Sequence, residues 1–487
     1  MSDIMITTPM SFTGSEPLQI EVDAERTLTI AGRHIHFVGI GGCGMSGLAR
    51  IVQSLGGICT GTDGSASPIT DMLTRTGIPV AIRQASDTVP AQCDLLVASA
   101  AVKTDHPEVV EARRRRIPVM KYAQLLGRLM LGRIGVAISG THGKSTTTAM
   151  LAHVLIQTGQ DPTFIVGATC QQIGGGSRTG RRDMLIAEAC EYDRSFHNFH
   201  PTHAVILNVE EDHLDIYSGL EDIIESFRTF AQRIDTGGTL LIGHDNAQRT
   251  AVTAGLKCAV ETIGFAPAAD WQVVIERQSS GPVVSLKHDG QTVCRFASPM
   301  PGDHMAYNAC VAAVLAHRMG APWDGIGHAL ASFAGLDRRM QVIGTTPSGI
   351  TVVDDYGHHP TEIEATLRAL RAHHRPQSRG GRLICVFQPH QHSRTRFLMD
   401  QFATSFSQAD AVIVPPIYFV RDSEADRRAV SAADLVQRLV AQGIDARHIE
   451  TFEQIVEHLR KEARPNDLVV VMGAGPVWQV GKAFLEA

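Results

Sequence analysis

The sequence predicts an α/β protein of three domains built on parallel sheets. Short apolar runs ending in glycines or acids alternate with stretches of helical periodicity, which implies parallel strands joined by covering helices. Two of these runs lead directly into glycine-rich turns that open a helix. The chain has 487 residues, against roughly 100 to 200 per domain, and 44% are hydrophobic, enough to bury more than one core.

A polar leader occupies residues 1–30, and a Rossmann-like unit is expected over 31–131. It starts with HIHFVGI (34–40), a strand that runs into GIGGCG and then into a helix spaced by Met45, Leu48, Ile51, Val52 and Leu55. GICTGTD supplies a second strand ending at Asp63, DLLVASA (94–100) another, and a helix follows around Glu108 to Arg116. The central unit, 132–340, opens at RIGVAIS and continues with buried strands in DMLIAEAC (183–190) and THAVILNV (202–209). WQVVIERQ, GPVVSLKHDG and QTVCRFAS are shorter alternating runs that predict a small antiparallel sheet attached to it. The last unit, 341–487, is again Rossmann-like, with strands in GITVVDDYG, GRLICVFQPH, DAVIVPPIY and NDLVVVMGAG.

Residues 139–148, SGTHGKSTTT, follow the RIGVAIS strand and precede a helix from Ser145 through Val154. Such a turn directs several backbone N–H groups at one point, where the helix dipole favours negative charge. Gly140 and Gly143 let the backbone bend closely, Lys144 can reach the β and γ phosphates, and the Ser145 hydroxyl can ligate magnesium. Ile138 stands where the common phosphate-loop pattern has its first glycine; Gly140 replaces it two residues later. Open parallel sheets place ligands at the carboxyl ends of their strands, where Glu188 and the acid-rich NVEEDHLD, with His213, also lie. Ser145 with Glu188 suits magnesium, with His213 placed for a second ion or a ligating water. The first loop fits G-x-G-x-x-G with Gly39, Gly41 and Gly44, and Asp63 lies where NAD enzymes put a ribose ligand. Taken alone, that motif leaves NAD open.

Composition narrows the classes. A net charge of −6 with scattered Lys and Arg argues against a broad polyanion-binding field, and Arg113–Arg116 reads as a solvated helix face. No run approaches the roughly 18 apolar residues of a membrane span, and the N-terminus lacks a signal peptide's basic start and apolar core. Nine cysteines at irregular spacing, without a CxxC pair, read as reduced buried thiols of a cytoplasmic protein.

The series HFVGIGGCGMSGLA, GTHGKSTT, EACEYDRSF, NVEEDHLDIY, PGDHMAYNACVAA, FAGLDRRM, VDDYGHHPTEI and FQPHQHSRTR resembles the bacterial Mur ligases, in order, from about His34 to Gly475. The resemblance implies an ATP- and Mg2+-dependent amide synthesis through an acyl phosphate, closest to the alanine-adding member. UDP-N-acetylmuramate and L-alanine would be its substrates. It implies that the central domain is the ATPase and that the last domain closes over both substrates.

The resemblance implies that Gly39, Gly41, Gly42, Gly44, Met45, Ser46 and Asp63 hold the UDP-sugar. It assigns ATP to Gly140, Thr141, His142, Gly143, Lys144, Ser145, Thr146, His304, Asn308, Arg338 and Asp354. Tyr356, His358, His390 and Arg394 match the amino-acid pocket, Arg394 forking onto the alanine carboxylate, while Lys144, His213 and Arg394 would carry catalysis. Met305 and Gln391 depart from the pattern, standing where asparagine and a second arginine are usual. Sibling ligases use a carbamylated lysine after the DH motif, and no lysine occurs between Lys144 and Lys257, which fits the alanine-adding member. The enzyme rivals are a recycling ligase that attaches a preformed peptide to the same UDP-sugar and a NAD dehydrogenase; a nucleotide switch is the rival of another class. No nucleic acid, no membrane insertion and a monomer or weak homodimer complete the expectations.

Overall fold

Three open sheets follow one another along the chain in the computed structural model, which describes residues 29–278 and 281–486. The expected leader lies outside the described residues except for Thr29 and Ile30. The first sheet contains β1 (His34–Val38), β2 (Ile58–Thr62), β3 (Val80–Ala81), β4 (Leu95–Ala98) and β5 (Val119–Lys121), all parallel in the order β3-β2-β1-β4-β5.

The central sheet has ten strands. Its parallel part is formed by β6 (Ile134–Ser139), β7 (Thr163–Ile165), β9 (Met184–Glu188), β10 (His203–Ile206), β11 (Thr239–Gly243) and β12 (Ala259–Gly264), with β8 (Ser177–Arg178) antiparallel on one edge. The expected meander is present as β13 (Trp271–Gln278), β14 (Gly281–His288) and β15 (Gln291–Ala297). It is not a separate small sheet, because Ile263 and Gly264 of β12 pair with Trp271 and Gln272 and make it continuous with the parallel strands. The third sheet runs β16-β17-β21-β18-β19-β20, from β16 (Gln341–Thr345), β17 (Thr351–Asp355), β18 (Leu383–Phe387), β19 (Ala411–Val414), β20 (Asp445–His448) and β21 (Leu468–Met472).

LICVF and LVVVM in β18 and β21 are buried at every position, as strands covered by helices on both faces should be. Edge strand β20, DARH, is mostly exposed and polar and so left no apolar signal in the sequence. In each sheet a glycine-bearing loop leaves a strand flanked by two parallel neighbours: β1 between β2 and β4, β6 between β10 and β9, β21 between β17 and β18. Such crevices are where open α/β sheets bind ligands. Among the described residues no helix is long and apolar enough to cross a membrane.

The sheets share cores across their boundaries. The helix Tyr122–Met130 buries Leu125, Leu126, Leu129 and Met130 in the core that holds Phe196, Phe227 and Phe230 of the central unit. Ile363, Leu367 and Leu370, on the helix Pro360–His374, join the core that holds Met305 and Ala306. Met305 is 5% exposed and serves as a core residue.

The first junction depends on Gly127, where an added Cβ would lie 1.9 Å from the Asn198 carbonyl oxygen, a backbone atom that cannot move aside cheaply. Gly127→Ala is expected to destabilise the protein by about 1–3 kcal/mol or more through overpacking, read as a lower chemical-denaturation midpoint.

Candidate active site

The loop after β6 makes a cradle. Gly140 and Gly143 have φ of 136° and 84°, and the helix Lys144–Gln157 starts immediately after them. A Cβ on Gly143 would meet Asn308 Oδ1 at 2.8 Å, so the glycine lets the helix Asp303–Arg318 approach the loop. The loop is tied to the strand-end segment after β10, because the His142 N–H donates to Asn208 Oδ1 (2.7 Å) and the Thr141 N–H to the Asn208 carbonyl (3.1 Å). Thr146 lies buried in the first turn of the helix, and burial pushes His304, nearby in sequence to Asn308, down to about 4.

Lys144 donates from Nζ to the carbonyls of Gly140 and Thr141 and to Glu191, 2.8 Å from Oε2. Glu191 is 4% exposed; burial opposes its charge, but Lys144 and His213 hold its carboxyl below the ordinary value. Sequence reasoning missed this residue, although it stands in EACEYDRSF, because attention to strand ends selected Glu188 three residues earlier. Glu188 accepts from Ser145 Oγ at 3.1 Å and from the Gly167 N–H. Burial raises the Glu188 carboxyl, so a cation there would offset its desolvation. A hydroxyl and a carboxylate at a phosphate loop are the hard oxygen donors that fit Mg2+.

His213 reaches the loop through the partner of Lys144. Its Nε2 lies 3.5 Å from Glu191 Oε1 and its Nδ1 3.4 Å from an Arg394 nitrogen, with the backbone at φ 53°. The Asp212 carboxylate accepts the His213 N–H at 2.7 Å and so fixes the turn. Arg394 gives Nε (2.9 Å) and Nη2 (2.8 Å) to the same oxygen of Asp212, an internal carboxylate.

The rest of the C-terminal cluster does come together. Tyr356 meets His358 edge-on at 5.6 Å, His358 lies 5.9 Å from His390, and His390 stacks on Tyr418 at 5.6 Å. Burial and Arg394 push His358 down to about 4, while burial, His358, Arg394 and Arg421 push His390 down to about 3, so both rings are neutral at ordinary pH. Gln391 is 2% exposed at φ 70°, and its amide nitrogen has no hydrogen-bond partner among the described residues. Arg338 lies 3.3 Å from Asp354 and donates to the carbonyls of Gly473 and Gly475 at 2.7 and 3.2 Å. Burial raises Asp354 to about 6.

At the first sheet, the Gly41 N–H donates to Asp63 Oδ2 at 2.8 Å, and a Cβ on Gly41 would collide with that carboxylate. β2 stops at Thr62, leaving Asp63 beyond the strand and free to hold the loop. A cavity of about 520 Å³ opens there, lined by Gly39, Asp63, Gln84, Ser99, Lys103 and His106 among others. The last three follow the carboxyl end of β4, a signal that the glycine motif overshadowed. Gly42 caps the helix Cys43–Ser54, and Gly44 packs against the Tyr122 ring. Met45 belongs to the apolar core, and the Ser46 hydroxyl turns back to the Cys43 carbonyl.

Between the central and last sheets, three consecutive residues each hold a C-terminal group. Glu210 accepts from Thr361 Oγ1 (2.6 Å), the Glu211 carbonyl faces His359 Nε2 (3.0 Å), and Asp212 holds Arg394. His142 lies 3.4 Å from Glu210 and 3.3 Å from Glu362, its ring 4.6 Å from that of His359. Burial works against its proton, but the two carboxylates raise it from 6.5 to about 9. Its contribution to stability is therefore complete below about pH 6.5 and is lost as pH rises through about 9. The thermal midpoint of the protein is expected to fall between pH 6.5 and 9 by more than that of His142→Gln, measured by calorimetry over that window.

Comparison with known proteins agrees along the whole chain. Residues 34–133 match the description "Mur ligase family, catalytic domain", 138–316 the "Mur ligase middle domain" and 338–475 the "Mur ligase, glutamate ligase domain". A UDP-N-acetylmuramate–L-alanine ligase of Caldanaerobacter subterraneus subsp. tengcongensis is 38% identical over 470 residues, 96% of this chain and 99% of that one. One from Geobacter sp. is 40% identical over 453 residues, 93% and 96% of the two chains. The crystal structure of the UDP-N-acetylmuramate–alanine ligase of Thermotoga maritima superimposes with a TM-score of 0.76 at 25% identity, covering 93% of this chain and 98% of that one. A murein peptide ligase from Psychrobacter arcticus shares the fold, with a TM-score of 0.69 at 24% identity and coverage of 93% and 98%. With three successive domain matches and full-length relatives, the chain belongs to the Mur ligase family.

Proposed function

We propose that the protein joins L-alanine to the lactyl carboxylate of UDP-N-acetylmuramate with cleavage of ATP to ADP and phosphate. The observation that carries this reading is one junction at which the chain of contacts Lys144–Glu191–His213 of the central unit continues through Arg394 to His390 and His358 of the last. Likeness over almost the whole chain to relatives named for this reaction supports it. In the same reading the enzyme works in the cytoplasm as a monomer or weak homodimer, and the linkers near Leu131 and Met340 separate its working units.

A carboxylate becomes an electrophile once phosphorylation turns its oxygen into a leaving group. Both partners in that step are anionic, so rate depends on charge neutralisation and placement. Lys144 exchanges Glu191 for the phosphates, and the backbone N–H groups from Gly140 to Ser145 cradle them with Thr146 behind. Ser145 and Glu188 would hold Mg2+, which would neutralise phosphate charge when bound. Arg338 and Asp354 reach toward the nucleotide from the domain boundary, and His304 and Asn308 line its base. The loop from Gly39 to Gly44, held by Asp63, takes the UDP-sugar with the cavity beside it. Neutral His358 and His390 offer hydrogen-bond acceptors to the amine of alanine. The clasp at Glu210, Glu211 and Asp212 keeps water from the acyl phosphate while the last domain is closed.

Phosphate release from MgATP with UDP-N-acetylmuramate, compared across L-alanine, glycine, L-serine, a tripeptide and no amino acid, tests the reading. Release is expected to need both the sugar and an amino acid, with L-alanine fastest; release without the sugar, or only with the peptide, overturns the substrate assignment. Lys144→Ala is expected to lower turnover by about 10³-fold or more while calorimetric binding of the UDP-sugar persists, since the two loops belong to different sheets.

A further inference from the structure

The amino-acid pocket contains a guanidinium that is already matched. Arg394 and Asp212 are 5% and 7% exposed and form a closed pair, so Arg394 brings little net charge to a ligand. Position 391 offers only a neutral carboxamide. A free amino acid nevertheless presents a carboxylate that needs a cation when it leaves water.

The segment PPIYFVRD, residues 415–422, leaves β19 and is pinned on both sides of its arginine. The Tyr418 N–H donates to the Pro389 carbonyl (2.9 Å), the Gln391 N–H donates to the Tyr418 carbonyl (3.1 Å), and the Tyr418 ring stacks on His390. Beyond it, the Asp422 carboxylate accepts from the N–H groups of His392 and Ser393 and from the Ser393 hydroxyl (2.6 Å). Between these anchors Arg421 takes φ 61°, a left-handed conformation that a non-glycine residue keeps only when its surroundings impose it. Its guanidinium lies 4.5 Å above the ring of Tyr192, a central-domain residue whose ring meets His213 edge-on at 5.1 Å. It forms no ion pair among the described residues, and its field reaches His390.

We propose that Arg421 is the cation that receives the carboxylate of the incoming amino acid, acting beside His390. The inference rests on the ligase reading above. Arg421 belongs to the last domain and its aromatic platform to the central one, so the carboxylate site is complete only when the two meet. Amino-acid recognition and closure are then one event.

The test is steady-state phosphate release by the full-length enzyme, Arg421→Met and Arg421→Lys, varying each of the three substrates in turn. Arg421 is exposed, so both variants are expected to fold, and thermal midpoints check this. Arg421→Met should raise the KM for L-alanine about tenfold or more while the KM values for ATP and UDP-N-acetylmuramate stay within about twofold. Its kcat at saturating alanine should stay within about threefold, and Arg421→Lys should recover most of the loss. An unchanged KM for alanine, a parallel rise for all three substrates, or a fall in kcat alone overturns the proposal. If the unaltered enzyme releases no phosphate in response to sugar and alanine together, the ligase reading itself has failed and this inference falls with it.

Discussion

The segment after β10 is the constraint that joins the central domain to the last. Within three residues it offers a side-chain carboxylate, a backbone carbonyl and a second carboxylate, and each is taken by a different group of the last domain. These contacts are directional and partly charged, and breaking one partner of a buried pair leaves the other uncompensated. They therefore specify one relative placement of the two domains, where apolar contact alone would allow sliding. The same segment is tied to the phosphate loop through Asn208 and Thr141, so the geometry of the loop and that of the closing domain are set by one piece of chain.

A second regularity follows from electrostatics. Cations expected to meet substrate already hold an internal carboxylate: Lys144 has Glu191, Arg394 has Asp212, Arg338 has Asp354, and His142 has Glu210 and Glu362. Charges gathered in a low-dielectric junction would otherwise oppose folding. Lys144, within reach of Glu191 and the loop carbonyls alike, is the one placed to exchange that internal partner for a phosphate, whereas Arg394 and His142 are held in the contacts between domains. Arg421, resting on an aromatic face instead of a carboxylate, stands outside this pattern.

Much of the site was legible in the chain because its chemistry sits on sharp local signals. Gly140, Gly143, Lys144 and Ser145 are neighbours on one turn, and Glu188 closes an unmistakable apolar run, so their meeting required only strand-turn-helix reasoning. Asp63 beyond β2 followed from the same logic. What lies beyond the glycines was less legible: the first turn of the helix after them directs Met45 to the core, a matter of rotation that spacing does not reveal.

Periodicity and contiguous motifs sufficed for the three α/β units with their runs of parallel strands, for the strand ends that carry glycine loops and acids, and for the family to which they belong. Tertiary structure alone decided the partners: Glu191 for Lys144, Asp212 for Arg394, Tyr192 beneath Arg421, and the joining of the meander to β12. Arg394 and Asp212 are 182 residues apart, and Lys144 and Glu191 are 47 apart. Which charge neutralises which across such separations is set by how domains dock, and docking is a property of packed surfaces that no local pattern encodes.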